Sequence, residues 1–262
     1  MVFAKKSLGQ NFLKDLNIIK KITKLTEISN KDVLEIGPGK GALTDQLLKC
    51  KPKSLILIEK DNKLCEELKI KYFNNKKIKI FNKDVLSFNL EKILKKKTII
   101  FGNLPYNISS QILAKIIKFK IWPPKYLSLI FMFQKELAER ITGKYGTSKY
   151  GRLSILTSYR LKMQNKFNVS ANCFFPKPKV ESTVLYFKPL DKNSQNIKNI
   201  ENLEKITKII FSSKRKMINK SIKKIFKDEK YLNLLDDLNL NSRPSDLRPE
   251  KYFEITKLYE KI

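Results

Sequence analysis

Short apolar runs alternate with amphipathic segments through the first two thirds of the chain. Buried strands are predicted where apolar residues follow one another, and helices where they recur every three or four positions. Helical patterns cover residues 18–28, with Asp15 as the cap, and 110–119, while residues 10–13 are expected to form a lead-in to the first helix. Strands alternating with helices predict an α/β fold with a mostly parallel sheet. The predicted strands are 32–36, 54–58, 78–81, 98–101, 126–134, 167–169 and 182–188.

The last third of the chain has helical patterns without strands. Polar residues at 189–199 indicate a linker, and residues 214–224 are predicted to form one basic amphipathic helix. The charged face of that helix either faces solvent or contacts RNA. The final predicted helix covers 249–262. We therefore expect two domains, 1–188 and 189–262.

A polar loop follows the strand predicted at 98–101. Pro105 fixes its own φ and keeps Leu104 extended, so that carbonyl groups of this loop point outward. Asn103 adds a side-chain acceptor, and Tyr106 adds a flat aromatic face. Two acceptors beside a stacking face suit the exocyclic amine of a base flipped out of its stack. The alternative is an ordinary strand-to-helix turn.

A second aromatic segment lies near the end of the sheet-forming region. Residues 174–180 are predicted to be a stiff, proline-bounded loop that begins with two phenylalanines. We expect Phe175 to stack on a base from the side opposite Tyr106, and Phe174 to pack in the core.

A glycine-rich loop follows the strand at 32–36. Gly37, Gly39 and Gly41 let the backbone turn tightly and approach a ligand, while the next helix offers its first amides. The spacing matches neither the Walker A motif nor the dinucleotide-binding motif. A purely structural turn is the alternative.

Acidic residues end the next two predicted strands. Glu59 lies about 20 residues beyond the glycine loop, where a carboxylate accepts hydrogen bonds from a ribose diol. Asp84 either binds an adenine amine or initiates a turn, and Asp61 is interpreted as a helix cap.

The charge of the chain points to a polyanionic partner. There are 55 Lys and Arg residues against 25 Asp and Glu residues, a net charge of +30. Lys, Asn and Ile are abundant throughout, so AT-rich codon usage is a second source of this excess. The chain has no histidine, which excludes a His-based triad and His-ligated metal sites.

Cysteine usage and the N-terminus favour the cytoplasm. The three cysteines show neither metal-binding nor disulfide spacing, as expected in a reducing compartment. Residues 1–6 lack the apolar run of a signal peptide, and no apolar stretch is long enough to span a bilayer.

The order and spacing of these motifs resemble the KsgA/RsmA family of small-subunit ribosomal RNA dimethyladenosine transferases, which are related to the Erm methyltransferases. The resemblance implies a class I Rossmann-like methyltransferase domain with a seven-stranded sheet, plus a small all-α C-terminal domain that binds RNA. It extends over nearly the whole chain. The matching positions are 9–13, 35–44, 58–61, 84, 102–110, 133–136, 150–154, 175–184 and 211–222.

The resemblance also implies roles for individual residues. S-adenosylmethionine is the implied cofactor, and no metal is implied. Asn103, Leu104 and Tyr106 would hold the target adenine, with Phe175 as the second stacking ring. The implied cofactor contacts are Asn11, Leu13, Gly37, Glu59, Asp84 and Asn103.

The function implied is methyl transfer to two adjacent adenosines near the 3′ end of 16S rRNA. The implied partner is the small ribosomal subunit, with a role in ribosome biogenesis, and a monomer is expected. Three alternatives stay open at this point: an Erm-like enzyme of large-subunit RNA, an assembly factor without catalysis, and a nicotinamide-dependent oxidoreductase. The glycine spacing disfavours the last of these.

Overall fold

The computed structural model describes residues 9–191, 197–235 and 237–262. Residues 1–6, in which a signal peptide was sought, and part of the linker expected at 189–199 lie outside the described residues. The strands are β1 (Phe12–Leu13), β2 (Asp32–Ile36), β3 (Ser54–Glu59), β4 (Ile78–Asn82), β5 (Thr98–Asn103), β6 (Tyr126–Gln134), β7 (Leu161–Val169), β8 (Phe174–Phe175) and β9 (Ser182–Pro189). The α-helices are α1 (Leu16–Thr23), α2 (Ala42–Lys49), α3 (Asn62–Lys71), α4 (Leu90–Ile93), α5 (Ser109–Ile117), α6 (Lys135–Ile141), α7 (Arg152–Arg160), α8 (Ile200–Ile210), α9 (Asn219–Ile225) and α10 (Pro249–Tyr259).

Seven strands form one mixed sheet in the order β4-β3-β2-β5-β6-β9-β7. The pairs β4–β3, β3–β2, β2–β5 and β5–β6 are parallel, whereas β6 and β9 are antiparallel. The predicted α/β class and the mostly parallel seven-stranded sheet are confirmed. Since β2, β3, β4 and β5 run in one direction, the loops after them lie at one edge of the sheet, where such folds bind ligands.

The central strands are buried on both faces. Val33 and Leu34 on β2, and Ile99 and Ile100 on β5, point to opposite faces of the sheet and are at most 1% exposed. Strands of a parallel sheet are apolar on both sides because helices cover both faces. These strands therefore form part of the core of the first unit.

Two aspartates cap helices of the first unit. The Asp15 carboxylate accepts from the Asn17 and Ile18 amides, and Asp61 does the same at the start of α3. Both predicted caps are confirmed. Helix α1 nevertheless ends at Thr23, and Ile28, which continues the apolar pattern, is buried in the turn that follows.

Two local predictions are wrong. Residues 12–13 form β1 instead of a helix lead-in, and they pair with β8, which begins the segment expected to be a loop. The continuous helix expected at 214–224 is replaced by α9, which begins only at Asn219. There, the amides of Ile218 and Asn219 donate to the Ser242 and Leu240 carbonyls, so tertiary hydrogen bonds replace helical ones.

The chain divides into two units. The first contains Met1–Ala138 and Lys162–Pro189, and the second contains Glu139–Leu161 and Leu190–Ile262. Helix α7 belongs to the second unit, where it packs against α8 and α10. The boundary expected between residues 188 and 189 stays a prediction. Within the described ranges, no helix has the length and apolar character needed to cross a membrane.

Candidate active site

A cavity of about 390 Å³ opens in the first unit, where β2, β3 and β5 end. Its volume lies in the range of small-molecule and cofactor sites. The cavity wall includes each site residue expected from the sequence: Asn11, Leu13, Gly37, Glu59, Asp84, Asn103, Leu104, Tyr106 and Phe175. The fold therefore brings together residues that are separated by up to 164 positions in the chain, from 11 to 175.

The glycine loop forms one wall of the cavity. Gly37, Gly39 and Gly41 have φ values of +69°, +57° and +81°, in the left-handed region that favours glycine. A Cβ atom at Gly39 would also lie 2.9 Å from the Phe12 ring. All three positions therefore favour glycine for the backbone conformation, and Gly39 requires it also for the close approach of β1.

Glu59 is the last residue of β3 and is only 7% exposed. Its Oε2 accepts from the Gly39 amide at 3.2 Å, and its Oε1 accepts from the Asp61 amide at 2.9 Å. Burial is the largest influence on this carboxyl and raises its pKa above the usual value. Each oxygen has a second lone pair, so Glu59 can hold the glycine loop and accept from a ligand hydroxyl as well.

Asp84 lies in the loop after β4. Lys60 donates to its Oδ2 at 2.8 Å, and the Leu86 amide donates to its Oδ1 at 2.9 Å. The Lys60 hydrogen bond is the largest cause of the lowered pKa of Asp84. The structure thus shows the turn that was the alternative interpretation of Asp84, and places the same residue in the cavity wall.

Lys115 of α5 holds that loop through two hydrogen bonds. Its ammonium donates to the Leu86 carbonyl at 2.5 Å and to the Phe88 carbonyl at 2.8 Å. Burial lowers the pKa of Lys115, although the Asp84 charge opposes this shift. Nothing local in the sequence distinguishes Lys115 from the other lysines, because its partners lie 27 and 29 positions away.

Asn103 ends β5 and faces the N-terminal segment. Its Nδ2 donates to the Asn11 carbonyl at 2.9 Å, which fixes the orientation of the amide. Oδ1 is then the acceptor that this side chain offers. The next residue, Leu104, is 1% exposed and anchors the loop in the core.

Two aromatic residues complete the wall. The Tyr106 hydroxyl shares a hydrogen bond with Ser182 Oγ, with the oxygens 2.6 Å apart, and burial raises the pKa of Tyr106. Phe175 is 62% exposed, whereas Phe174 beside it is 1% exposed. The prediction that Phe174 packs in the core is confirmed, and Phe175 is the phenylalanine of this pair that lines the cavity.

Glu35 is a cavity residue to which the sequence analysis gave no individual role. It is 1% exposed, and its Oε2 accepts from Thr44 Oγ1 at 2.6 Å. Burial is the largest cause that raises its pKa to about 8. A carboxyl group in an otherwise apolar buried strand is the signal that would have identified it.

Two further residues that the sequence analysis did not single out support the glycine loop. They are Lys71, the last residue of α3, and Tyr72, which follows it. The Tyr72 hydroxyl donates to Asp45 Oδ1 at 2.7 Å and lies 3.2 Å from the Gly41 carbonyl. Lys71 donates to Asp45 Oδ2 at 2.7 Å. These contacts join the start of α2 to the end of α3, at sequence separations that no local pattern reveals.

These residues fit S-adenosylmethionine. A buried carboxylate at the cavity wall suits ribose hydroxyls, and the open, side-chain-free glycine loop leaves room for the methionine portion. In the part of the chain that the structure describes, no group of three or more His, Cys, Asp or Glu side chains is placed to hold a metal ion.

Comparison with known proteins gives a consistent result. The family model described as "Ribosomal RNA adenine dimethylase" matches residues 1–261. Ribosomal RNA small subunit methyltransferase A from Pelagibacter ubique (strain HTCC1062) is 45% identical over 264 residues, covering 100% of this chain and 98% of that protein.

Two solved structures are similar over nearly the whole chain. The crystal structure of a dimethyladenosine transferase from Plasmodium falciparum has a TM-score of 0.79 and 28% identity, covering 95% of this chain and 98% of that one. The crystal structure of the 23S rRNA methyltransferase ErmE has a TM-score of 0.69 and 24% identity, covering 95% of this chain and 99% of that one. The second likeness shows the fold alone.

Proposed function

The chain belongs to the ribosomal RNA adenine dimethylase family, and from this premise we propose that it dimethylates N6 of two adjacent adenosines near the 3′ end of 16S rRNA. Family membership makes it an S-adenosylmethionine-dependent methyltransferase of ribosomal RNA. The 45% identical relative is named for the small ribosomal subunit, which favours 16S rRNA as the substrate.

One observation carries the proposal. The loop that offers two acceptors, at Asn103 and Leu104, lines the same cavity as the buried Glu59 carboxylate and the glycine loop. We assign the ribose hydroxyls of the cofactor to Glu59 and its adenine amine to Asp84. Asn11, Leu13 and Gly37 contribute the remaining contacts, and Asn103 contacts both the cofactor and the substrate.

The chemistry needed is activation of a weak nucleophile. The lone pair of the adenine amine is delocalised into the ring, so the nitrogen is planar and poorly nucleophilic. Hydrogen bonds from its two N–H groups to Asn103 Oδ1 and to the Leu104 carbonyl favour a pyramidal nitrogen with a directed lone pair. S-adenosylmethionine, when bound, supplies a methyl group on a positively charged sulfur.

The chain contributes positioning and electrostatics rather than a strong base. The amine becomes acidic after it has been alkylated, so its proton passes to water without a dedicated histidine. This agrees with a sequence that contains no histidine.

Stacking holds the extruded base. Tyr106 and Phe175 both line the cavity, and an aromatic stack contributes about 1–3 kcal/mol per base. That energy offsets the few kcal/mol required to extrude a base from its stack.

The assignment extends to partners and domain roles. We propose the small ribosomal subunit as the partner, a monomer in the cytoplasm as the working form, and a role in ribosome biogenesis. Residues 1–188 would form the methyltransferase domain and 189–262 a helical RNA-binding domain. The net charge of +30 supports binding to RNA.

The test is transfer of labelled methyl groups from S-adenosylmethionine to undermethylated small ribosomal subunits, with large subunits in parallel. We expect label on the small subunit alone. Label on large-subunit RNA would move the chain to an Erm-like activity. Binding to small subunits without label on either RNA would indicate an assembly factor and contradict the proposal.

A further inference from the structure

Tyr106 is held at two points, one at each end of the residue. Ser109 Oγ donates to its backbone carbonyl at 3.2 Å, and its phenol oxygen lies 2.6 Å from Ser182 Oγ. Ser109 and Ser182 are both 0% exposed, so neither hydroxyl is in competition with bulk water. Because the backbone carbonyl and the phenol oxygen are both held, the Tyr106 ring has little freedom to turn out of the cavity wall.

Ser182 is a rigid anchor. It is the first residue of β9 and lies opposite Gln134 in the antiparallel pairing with β6. The preceding residue, Glu181, accepts from the Lys135 amide at 2.9 Å through its carbonyl and pairs with the Lys135 ammonium at 2.7 Å. The anchor therefore belongs to the sheet and not to a loop.

Ser182 also lies at the far end of the segment that carries Phe175. Residues 176–181 connect β8, which contains Phe175, to β9. The Tyr106–Ser182 hydrogen bond thus joins the loop after β5 to the end of the segment that presents the second aromatic ring. Both rings line the cavity.

We propose that Ser182 is a positioning residue for methyl transfer, which acts through the Tyr106 hydroxyl and fixes the ring on which the target adenine stacks. This inference rests on the proposed function. Ser182 touches neither the substrate nor the cofactor in this account, and its effect is on the geometry of Tyr106. A small displacement of a positioning group is enough to lower the rate of the chemical step.

The experiment is a double-mutant cycle of Ser182→Ala and Tyr106→Phe, assayed with small ribosomal subunits. Each single variant should lower kcat about tenfold, the loss expected for one hydrogen bond of ordinary strength. The double variant should lose no more than either single variant, because both substitutions remove the same bond. KM for S-adenosylmethionine should stay within about twofold of the wild type, since the bond acts on the substrate base.

Two further variants separate positioning from folding. Ser182→Thr keeps a hydroxyl and should restore most of the lost kcat. Thr183→Val removes the adjacent hydroxyl, which donates to Asn168 Oδ1 at 2.9 Å on the opposite face of the strand. This control should keep the wild-type kcat.

Urea unfolding of the same cycle measures the hydrogen bond independently of activity. Unfolding free energies that are strictly additive, or a Ser182→Ala variant with the wild-type kcat, would overturn the inference. A kcat loss in the double variant equal to the product of the two single losses would also overturn it. The wild type is assayed first, and this step tests the proposed function separately from the inference about Ser182. A wild-type chain that methylates neither subunit would contradict the proposed function.

Discussion

Replacing Glu35 with glutamine tests whether a carboxyl group in the cavity wall keeps its proton in the folded chain. Burial raises the pKa of Glu35 to about 8, against an ordinary value of 4.5. Between these two pH values the folded chain holds a proton that the unfolded chain has released. Stability must therefore fall as pH rises through this window, and the loss is complete above about pH 8.

The size of the effect follows from linkage. One proton bound by the folded state alone changes the free energy of unfolding by about 1.4 kcal/mol per pH unit. From pH 5 to pH 7 the wild type should therefore lose about 3 kcal/mol relative to Glu35→Gln. Glutamine keeps a carbonyl oxygen that can accept from Thr44 Oγ1, so the hydrogen bond observed at 2.6 Å has a replacement acceptor.

Urea unfolding at several pH values measures this difference. The single tryptophan, Trp122, belongs to the first unit and reports its unfolding by fluorescence. Glu27→Gln, which changes an exposed carboxyl, is the matched control and should follow the wild type at each pH. Parallel stability profiles for the wild type and Glu35→Gln between pH 5 and pH 7 would refute the reasoning.

Two substitutions in the cavity wall and one in the helix that supports the loop after β4 give further predictions. Asn103→Ala should lower kcat by about 10²-fold or more, because it removes an acceptor for the reacting amine. RNA affinity in a filter-binding assay should stay near that of the wild type. Equal losses of kcat and of RNA affinity would contradict this prediction. Gly39→Ala should weaken S-adenosylmethionine binding about tenfold by calorimetry, because its φ is +57° and a Cβ meets an aromatic ring at 2.9 Å. Gly146→Ala, at φ +77° with nothing within 4 Å, should leave that affinity unchanged, and similar affinity losses in both would count against the steric argument. Lys115→Met should raise KM for S-adenosylmethionine about threefold to tenfold with little change in kcat, because it releases two carbonyls of the loop after β4. An unchanged KM would show that Lys115 does not hold this loop in place for the cofactor.

Local chemistry made strands β2 to β6 and two helix caps of the first unit predictable, whereas β1 and β8 were not predicted. Asp15 and Asp61 bond to amides two and three positions further along the chain, which is a spacing visible in the sequence. The strand predicted at 126–134 has the bounds of β6. A continuous run of nine mostly apolar residues is typical of a central strand that is buried on both faces. Such features need no knowledge of the rest of the fold.

Contacts between distant segments were not predictable in the same way. The Asn103 amide bonds to Asn11 across 92 positions, and Tyr106 bonds to Ser182 across 76 positions. The pairing of Phe12 with Phe175 turned an expected helix lead-in into a strand. Each depends on a tertiary partner, and tertiary contacts override local preference when they supply better hydrogen bonds or burial.

The chemistry of the candidate site was visible only in part. Glu59 and Asn103 were identified because a polar residue at the end of an apolar strand is conspicuous. Ser182, Lys115 and Glu35 were not, since hydroxyl, ammonium and carboxyl groups gain these roles from burial and from their partners in the folded chain.

Mapping the methylated nucleosides tests the central claim most directly. Small-subunit RNA methylated by the wild type would be cut into defined fragments, and each fragment digested and analysed by mass spectrometry, with the Asn103→Ala reaction as the control. The account predicts N6,N6-dimethyladenosine at two adjacent positions near the 3′ end of 16S rRNA, and loss of this product in the control. Methylation at another atom or another site, or an undiminished yield from Asn103→Ala, would contradict it.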